Sequence, residues 1–178
     1  MVIEQRAYAR AGLAGNPSDG YFGKIIAISI KNFYACVSLQ ESNELKIKGL
    51  DQDINIYSNI HDLVERVNLY GYYGGIRLIK AAIKNFYEYC KNQNIKLEDK
   101  NFSIQYTSNI PRQLGLGGSS AIITAAIQAL MKFYEVEIPI EILPSIILKA
   151  ELEELGINAG FMDRVIQVYN GCVYMNLD

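Results

Sequence analysis

The stretch PRQLGLGGSSAIITAAIQAL, residues 111–130, decides the fold. It opens with a proline, continues with glycines and two adjacent serines, and ends in an almost wholly apolar run. Glycine permits the left-handed backbone of a tight turn, and serine is favoured where a helix begins. The pattern therefore predicts a glycine-rich turn, followed by a buried helix of about four turns that begins near Ser119 or Ser120.

The residues of this turn leave two interpretations open. A plain strand-to-helix turn with a serine cap would need no ligand. Alternatively, free backbone N–H groups at a helix N-terminus would bind an anion such as a phosphate, because those donors and the helix dipole attract negative charge. A P-loop does not fit, since no lysine follows the glycines, and the third glycine of a dinucleotide fingerprint would fall at Ser120.

The segments around the turn alternate between strand and helix patterns. Alternating apolar residues predict strands over 24–38, 53–57, 101–107 and 172–177. Apolar spacings of three and four predict helices over 61–70, 75–92, 138–156 and 163–171. In the third of these, Pro144 would be tolerated near the helix start or would mark a break. Because strands and helices follow one another irregularly, the predicted fold class is α+β rather than a doubly wound α/β sheet.

The composition argues against several classes of protein. The 178 residues are 50% apolar and carry a net charge of −2 without a run of lysine or arginine, which argues against nucleic-acid binding. No stretch has the roughly 18 apolar residues of a membrane span, and the first residues do not resemble a signal peptide. Three widely spaced cysteines without a CxxC pair indicate a reduced, cytoplasmic protein with incidental thiols.

Two further segments hold charged residues that local structure does not require. ARAGLAGNPSDGYFGK at 9–24 contains Arg10 and Asp19 beside a turn-forming Asn-Pro-Ser-Asp-Gly sequence. KAELEELGINAGFMDRV at 149–165 contains Glu151 and Asp163. Each acid also has an ordinary interpretation, because Glu151 could be a solvated acid on a helix surface and Asp163 a common helix N-terminal residue.

Taken together, the three segments resemble the GHMP kinase superfamily, which includes galactokinase, mevalonate kinase and homoserine kinase. The sequence from Pro111 to Ala121 is similar to the family motif Pro-x-x-x-Gly-Leu-Gly-Ser-Ser-Ala, with glycine at the usual first serine position. Arg10 stands at the place of the family's basic residue, 15–17 at that of Gly-Glu-His, and Asp19 at that of the sugar-binding Asp. Within the superfamily, these motifs look most like those of the glucuronokinase subfamily.

The resemblance implies a fold, an activity and its cofactors. The fold would be that of ribosomal protein S5 domain 2, in a GHMP kinase N-terminal, ATP-binding domain over residues 1–178. The activity would be ATP- and Mg²⁺-dependent phosphorylation of the anomeric hydroxyl of a sugar or uronic acid, with D-glucuronate favoured. A neutral sugar such as galactose, arabinose or a heptose is the alternative substrate.

The resemblance also assigns roles to individual residues. It gives catalysis to Asp163 and Arg10. ATP would be bound by Pro111, Gly115, Leu116, Gly117, Gly118, Ser119, Ser120 and Ala121. Magnesium would be held by Glu151 with Ser119 or Ser120. The sugar would be bound by Asn16, Pro17, Ser18 and Asp19. Arg164 would bind a uronate carboxylate, or would be an ordinary surface residue of its helix.

The 178 residues contain no counterpart of the family's C-terminal GHMP domain. This absence suggests a piece of a longer protein, a split gene or a truncated gene, and an inactive lobe that acts as a binding or assembly subunit is a further alternative. The expected partners are a small-molecule sugar and a C-terminal lobe bound in trans, or a second copy of the chain, with no nucleic acid and no membrane. An exposed apolar patch is expected near the last strand.

Overall fold

The computed structural model describes residues 2–16, 21, 23–49, 54–72 and 76–177. The strands are β1 Val2–Ala14, β2 Lys24–Ser42, β3 Leu45–Lys48, β4 Ile54–Tyr57, β5 Asn101–Ser108 and β6 Cys172–Asn176. The helices are α1 Ile60–Tyr70, α2 Arg77–Asn92, α3 Gly118–Phe133, α4 Leu143–Lys149 and α5 Phe161–Tyr169, with a π-helical turn Ala150–Glu154 directly after α4. The predicted α+β class is confirmed.

The described strands form one mixed sheet in the order β1-β2-β5-β3-β4, with β6 also paired to β2. Strand β2 is antiparallel to β1 on one side along most of its length. On its other side it pairs first with β6, through Lys24–Ile28, and then with β5, through Ala35–Ser42. Strand β3 lies parallel to β5. The long strand β2 therefore pairs with three other strands, β1, β5 and β6.

Strands β1 and β3 are absent from the sequence-based prediction, and β2 is longer than predicted. The β1–β2 pairing shifts register between Tyr8 and Ala9, as at a β-bulge. An irregularity of this kind interrupts the two-residue alternation on which strand prediction depends. Strand β1 is therefore defined by pairing with distant residues more than by its own pattern.

Helix α3 is the central helix of the core. It packs against β1, β2, α2 and α5, and its residues Ala121, Ile123 and Ala126 are fully buried. A helix that is apolar on most sides is stable only where neighbours cover it all round, and the fold provides those neighbours. The predicted burial of this helix is confirmed. Helix α3 begins at Gly118, one residue before the first predicted position.

The segment predicted as helical over 138–156, with Pro144 tolerated near its start or marking a break, is helical over a shorter range. Helix α4 begins at Leu143, with Pro144 in its first turn, and the chain changes to the π-helical turn at Ala150. Proline lacks an N–H group and is tolerated only in the first turn of a helix, so the helix cannot extend back to residue 138. The π-helical turn ends before Gly156, which has a φ of +62°.

A second apolar cluster lies between α5 and the strands β2 and β6, and contains Met162, Ile166 and Met175. Beside it, Tyr174 is 60% exposed and Tyr169 43% exposed. The apolar patch predicted near the last strand is therefore present. None of the described helices has the length and apolar character needed to cross a membrane.

Candidate functional site

The glycine-rich turn, residues 111–117, connects β5 to α3. Gly115 and Gly117 have φ angles of +64° and +72°, a region that other residues rarely adopt. Gly117 is the residue that immediately precedes α3. A Cβ atom at Gly117 would lie 2.9 Å from Gln167 Nε2 and 3.1 Å from Asp163 Oδ2. This position therefore requires glycine for its backbone angles and for its close contact with α5.

Three consecutive carbonyl groups of the turn accept hydrogen bonds from residues of β1 and α5. The Arg10 side chain donates to Gly115 O, and the Arg10 backbone N–H donates to Leu116 O at 3.1 Å. Gln167 Nε2 donates to Gly117 O at 2.7 Å. In a trans peptide, a carbonyl and the N–H of the next residue point in opposite directions. The N–H groups of 116–118 therefore point away from β1 and α5.

The N-terminus of α3 has the character of an anion site. Within the described part of the chain, no side chain caps this helix. The first N–H groups of a helix lack partners inside the helix, and the helix dipole places partial positive charge at the same end. Together with the orientation of the turn, these groups fit a phosphate or another anion.

The two serines at the start of α3 have different surroundings. Ser119 Oγ donates to Glu151 Oε1 at 2.6 Å. Ser120 is fully buried, and its Oγ donates to Gly117 O at 3.0 Å. Ser119 therefore lies with the carboxylate that could hold a metal, whereas Ser120 stabilises the turn.

Glu151 and Arg164 form a buried ion pair. The two side chains are 1% and 4% exposed, and Arg164 Nη2 contacts Glu151 Oε2. Arg164 Nη1 also donates to Gly160 O at 2.8 Å. The interpretations of Glu151 as a solvated acid and of Arg164 as a surface residue are therefore wrong. The sequence also suggested that Arg164 binds a uronate carboxylate. The structure does not support this role, because the Arg164 guanidinium already pairs with Glu151.

Asp163, in the first turn of α5, pairs with Arg10 of β1. Arg10 Nε donates to Asp163 Oδ1 at 2.6 Å, and the two side chains are 12% and 15% exposed. Arg164 Nη1 lies 3.7 Å from Asp163 Oδ2. Positive and negative groups thus alternate from Arg10 through Asp163 and Arg164 to Glu151. Because Arg10 also holds Gly115, the carboxylate lies directly beside the glycine-rich turn.

The remaining residues that the sequence assigned to ATP or sugar binding have varied surroundings. Asn16 is next to Gly12, whose added Cβ would lie 3.0 Å from Asn16 Cβ and 3.3 Å from Met162 Sδ, so Asn16 is close to the start of α5. Pro17, Ser18 and Asp19 lie outside the described residues. Ala121 is fully buried in the core, while Pro111 opens the turn with an intermediate exposure. Leu116 packs against the apolar core.

Gln167 is a site residue that the sequence patterns did not indicate. It is 1% exposed, and its amide contacts the turn. The available signal was its position four residues after Asp163, because residues i and i+4 share one face of a helix. A polar side chain in the apolar sequence VIQVY is otherwise unremarkable.

The described residues could supply only part of a metal site. They contain no cluster of three or more His, Cys, Asp or Glu side chains suited to a metal ion. Ser119 and Glu151 together provide an oxygen pair. This pair fits Mg²⁺, which keeps several waters and is commonly bound through one or two carboxylates and the phosphates of a nucleotide.

Comparison with known proteins identifies the family. The model of the GHMP kinases N terminal domain matches residues 77–171, more than half of the chain. The chain belongs to the GHMP kinase family, as the sequence motifs predicted. The structure of mevalonate kinase from Methanococcus jannaschii superposes with a TM-score of 0.78 at 23% identity, over 99% of this chain and 53% of that one.

Two curated relatives are more similar in sequence. Glucuronokinase 1 of Arabidopsis thaliana is 49% identical over 178 residues, which cover 98% of this chain and 49% of the relative. Probable glucuronokinase 2 of the same plant is 50% identical over 173 residues, with 96% and 47% covered. The chain thus spans about half the length of the curated relatives that it matches.

Proposed function

We propose that this chain provides the ATP-phosphate site and the catalytic carboxylate of a sugar 1-kinase whose substrate is D-glucuronate. The reaction transfers the γ-phosphoryl group of ATP to the anomeric hydroxyl of glucuronate and yields glucuronate 1-phosphate and ADP. The observation that carries the proposal is the position of Asp163, beside the glycine-rich turn and paired with Arg10 at 2.6 Å. The choice of glucuronate is supported by the identity of 49% to a glucuronokinase.

Phosphoryl transfer needs positioning and charge neutralisation more than covalent chemistry from the protein. The N–H groups of the turn and of the first turn of α3 bind the phosphates. Asp163 accepts the proton of the sugar hydroxyl or orients that hydroxyl. Arg10 keeps Asp163 in place and offsets negative charge on the transferred group.

In this proposal, Ser119 and Glu151 bind Mg²⁺, and Ser120 does not. Ser119 has the hydroxyl that already contacts the carboxylate. Mg²⁺, when bound, offsets charge on the ATP phosphates. The Arg164 guanidinium holds one oxygen of Glu151, so the other oxygen, which faces Ser119, is the one placed for a metal.

The sugar would bind on the side of the turn where Asn16 lies. The resemblance to the family also assigns Pro17, Ser18 and Asp19 to sugar binding. The exposed apolar patch beside β6 would bind a C-terminal lobe supplied in trans or a second copy of the chain. Light scattering over a range of protein concentrations tests self-association, and a monomer at all concentrations would argue against it.

Calorimetric titration with Mg·ATP tests the phosphate site. Ser119→Ala should weaken binding by roughly 10-fold, because a ligand of the metal is lost. Asp163→Asn should leave binding nearly unchanged and reduce phosphoryl transfer by roughly 10²- to 10⁴-fold, the usual contribution of a general base. Absence of binding at millimolar Mg·ATP would contradict a phosphate site in this chain alone.

A panel of sugars tests the substrate. The initial rate of ADP formation is compared for glucuronate, galactose, arabinose and a heptose, in the presence of any separate C-terminal lobe. Glucuronate should give the highest kcat/KM. A neutral sugar as the best substrate would retain the kinase and overturn the choice of glucuronate. Mg·ATP binding without transfer to any sugar would favour an inactive binding lobe.

A further inference from the structure

Gln167 is buried where a polar side chain needs a specific reason. Its exposed fraction is 1%, and it lies in helix α5 between the apolar residues Ile166 and Val168. A buried amide lowers stability unless its donors and acceptor find partners. Both ends of this amide have one. Nε2 donates to Gly117 O at 2.7 Å, and Oε1 accepts from Thr124 Oγ1 at a longer 3.5 Å.

The shorter of the two bonds ends on the peptide that joins the turn to α3. Gly117 O accepts from Gln167 Nε2, from Ser120 Oγ at 3.0 Å and from the Ala121 N–H at 3.1 Å. The last two donors belong to α3 itself. Gln167 is therefore the donor that connects this carbonyl to a different element of the structure.

Helix geometry relates this contact to the chemistry. Asp163 and Gln167 are four residues apart in α5 and lie on one face of the helix. That face meets the turn at Gly117, where an added Cβ would contact both side chains. A single rigid helix thus carries the candidate base and holds the candidate phosphate loop.

We infer that Gln167 is a positioning residue of the phosphate site. By holding Gly117 O, it fixes the orientation of the 117–118 peptide, so that the Gly118 N–H points to the ATP phosphates. Because α5 also carries Asp163, the same contact fixes the distance between the phosphates and the base. This inference rests on the proposed function and adds to it a residue that determines nucleotide affinity.

The test compares Gln167→Met with Thr124→Val. Methionine keeps the length of the side chain and removes the donor to Gly117, whereas Thr124→Val removes only the longer bond at Oε1. Hydrogen exchange of the 116–120 amides and the dissociation constant of Mg·ATP are measured for both variants and for the wild-type chain. Gln167→Met should accelerate exchange and weaken Mg·ATP binding by about 10-fold each, as expected when a buried carbonyl loses a donor. Thr124→Val should change both by less than about threefold.

A purely structural role would give a different result. It would lower the melting temperature of Gln167→Met without changing the exchange of 116–120 relative to the rest of the chain, and with the affinity for Mg·ATP unchanged. That outcome would overturn the inference, as would equal effects of the two variants. Gln167→Asn, which keeps the amide but shortens it, is the second variant if Gln167→Met does not fold, and the same changes are expected.

Failure of the proposed function would be visible separately. A wild-type chain that binds no Mg·ATP would contradict the phosphate site, while the exchange of 116–120 would still show whether Gln167 orders the turn. If the wild-type chain binds Mg·ATP and Gln167→Met binds it with the same affinity, only the role of Gln167 is overturned.

Discussion

At the N-terminus of helix α1, the chain satisfies its own donors. The Asn59 side chain accepts from the Asp62 N–H at 3.0 Å, and the Asp62 carboxylate accepts from the Ser58 N–H at 2.9 Å. At the N-terminus of helix α3, Gly117 has no side chain to do this, and the neighbouring serine hydroxyls donate to Glu151 and to Gly117 O instead. The first arrangement completes a helix, whereas the second leaves N–H groups for a ligand.

A hydroxyl near a helix start does not by itself indicate a cap. Ser119 and Ser120 are the residue type expected at such a position. In the structure, both hydroxyls instead donate hydrogen bonds, Ser119 to Glu151 and Ser120 to Gly117 O.

The ion pair that supports the start of α3 should be the most sensitive point. Arg164→Met leaves the buried Glu151 carboxylate without its counter-charge and should lower the free energy of unfolding by about 3–5 kcal/mol. Urea denaturation measures this loss. The double variant Glu151→Gln/Arg164→Met removes both charges and should recover a large part of it. A double variant as unstable as the sum of the single changes would contradict the importance of the pair.

Gly117→Ala should break the turn itself. Alanine at a φ of +72° is strained, and its Cβ would press on Gln167 and Asp163, so the free energy of unfolding should fall by about 2–3 kcal/mol. Gly115→Ala is the matched control, because its φ of +64° is similar but an added Cβ meets no atom within 4 Å. Chemical denaturation should show a smaller loss of about 1–2 kcal/mol for the control. Equal losses would mean that the contact with α5 is unimportant.

Asn59→Ala should affect only stability. Loss of the side-chain cap of α1 should lower the free energy of unfolding by about 1 kcal/mol, the usual value for such a cap. Affinity for Mg·ATP, measured by calorimetry, should not change, because α1 has no place in the phosphate site. A clear loss of affinity would remove the distinction between the two helix starts.

The smallest effect concerns the pH dependence at α1. The hydrogen bond from the Ser58 N–H, and then Arg66, lower the pKa of the Asp62 carboxyl from its ordinary value. A depressed folded-state pKa gives stability that is present above the unfolded-state pKa, near 4, and is lost as the pH falls through the folded-state value. At pH 7, Asp62→Asn should therefore be less stable than the wild-type chain by about 0.3–0.5 kcal/mol. Urea midpoints at pH 7 and pH 3 should show this gap close in acid, and a gap of equal size at both pH values would contradict the assignment.

The sequence patterns succeeded where the information is local. Apolar spacing predicted α2 over 75–92, and the structure has it at Arg77–Asn92. The predicted strand over 101–107 is β5, Asn101–Ser108. Prediction failed for β1, whose register with β2 shifts at a bulge, and for the bounds of 138–156, where the helix begins only at Leu143 and becomes a π-helical turn at Ala150. The first failure reflects pairing with distant residues, which overrides the local pattern, whereas the second reflects the late start of α4 at Leu143 and the change to a π-helical turn.

The candidate site shows the same division. The family motifs led to Arg10, Glu151 and Asp163, and the structure places all three beside the turn or the start of α3. The motifs could not distinguish Ser119 from Ser120, since both fit the same pattern. They gave no sign that Arg164 pairs with Glu151 or that Gln167 holds Gly117, because each contact joins residues of different structural elements.

By itself, the sequence determined the glycine-rich turn, the buried helix after it and the residue types of the site. These features follow from backbone freedom, apolar periodicity and short motifs, all of which lie within a few neighbouring residues. The tertiary structure alone decided which partner each polar group received. Helix α5, strand β1 and the π-helical turn reach the start of α3 from distant parts of the chain, and burial there leaves each charge and amide only the partners that the packed fold brings to it.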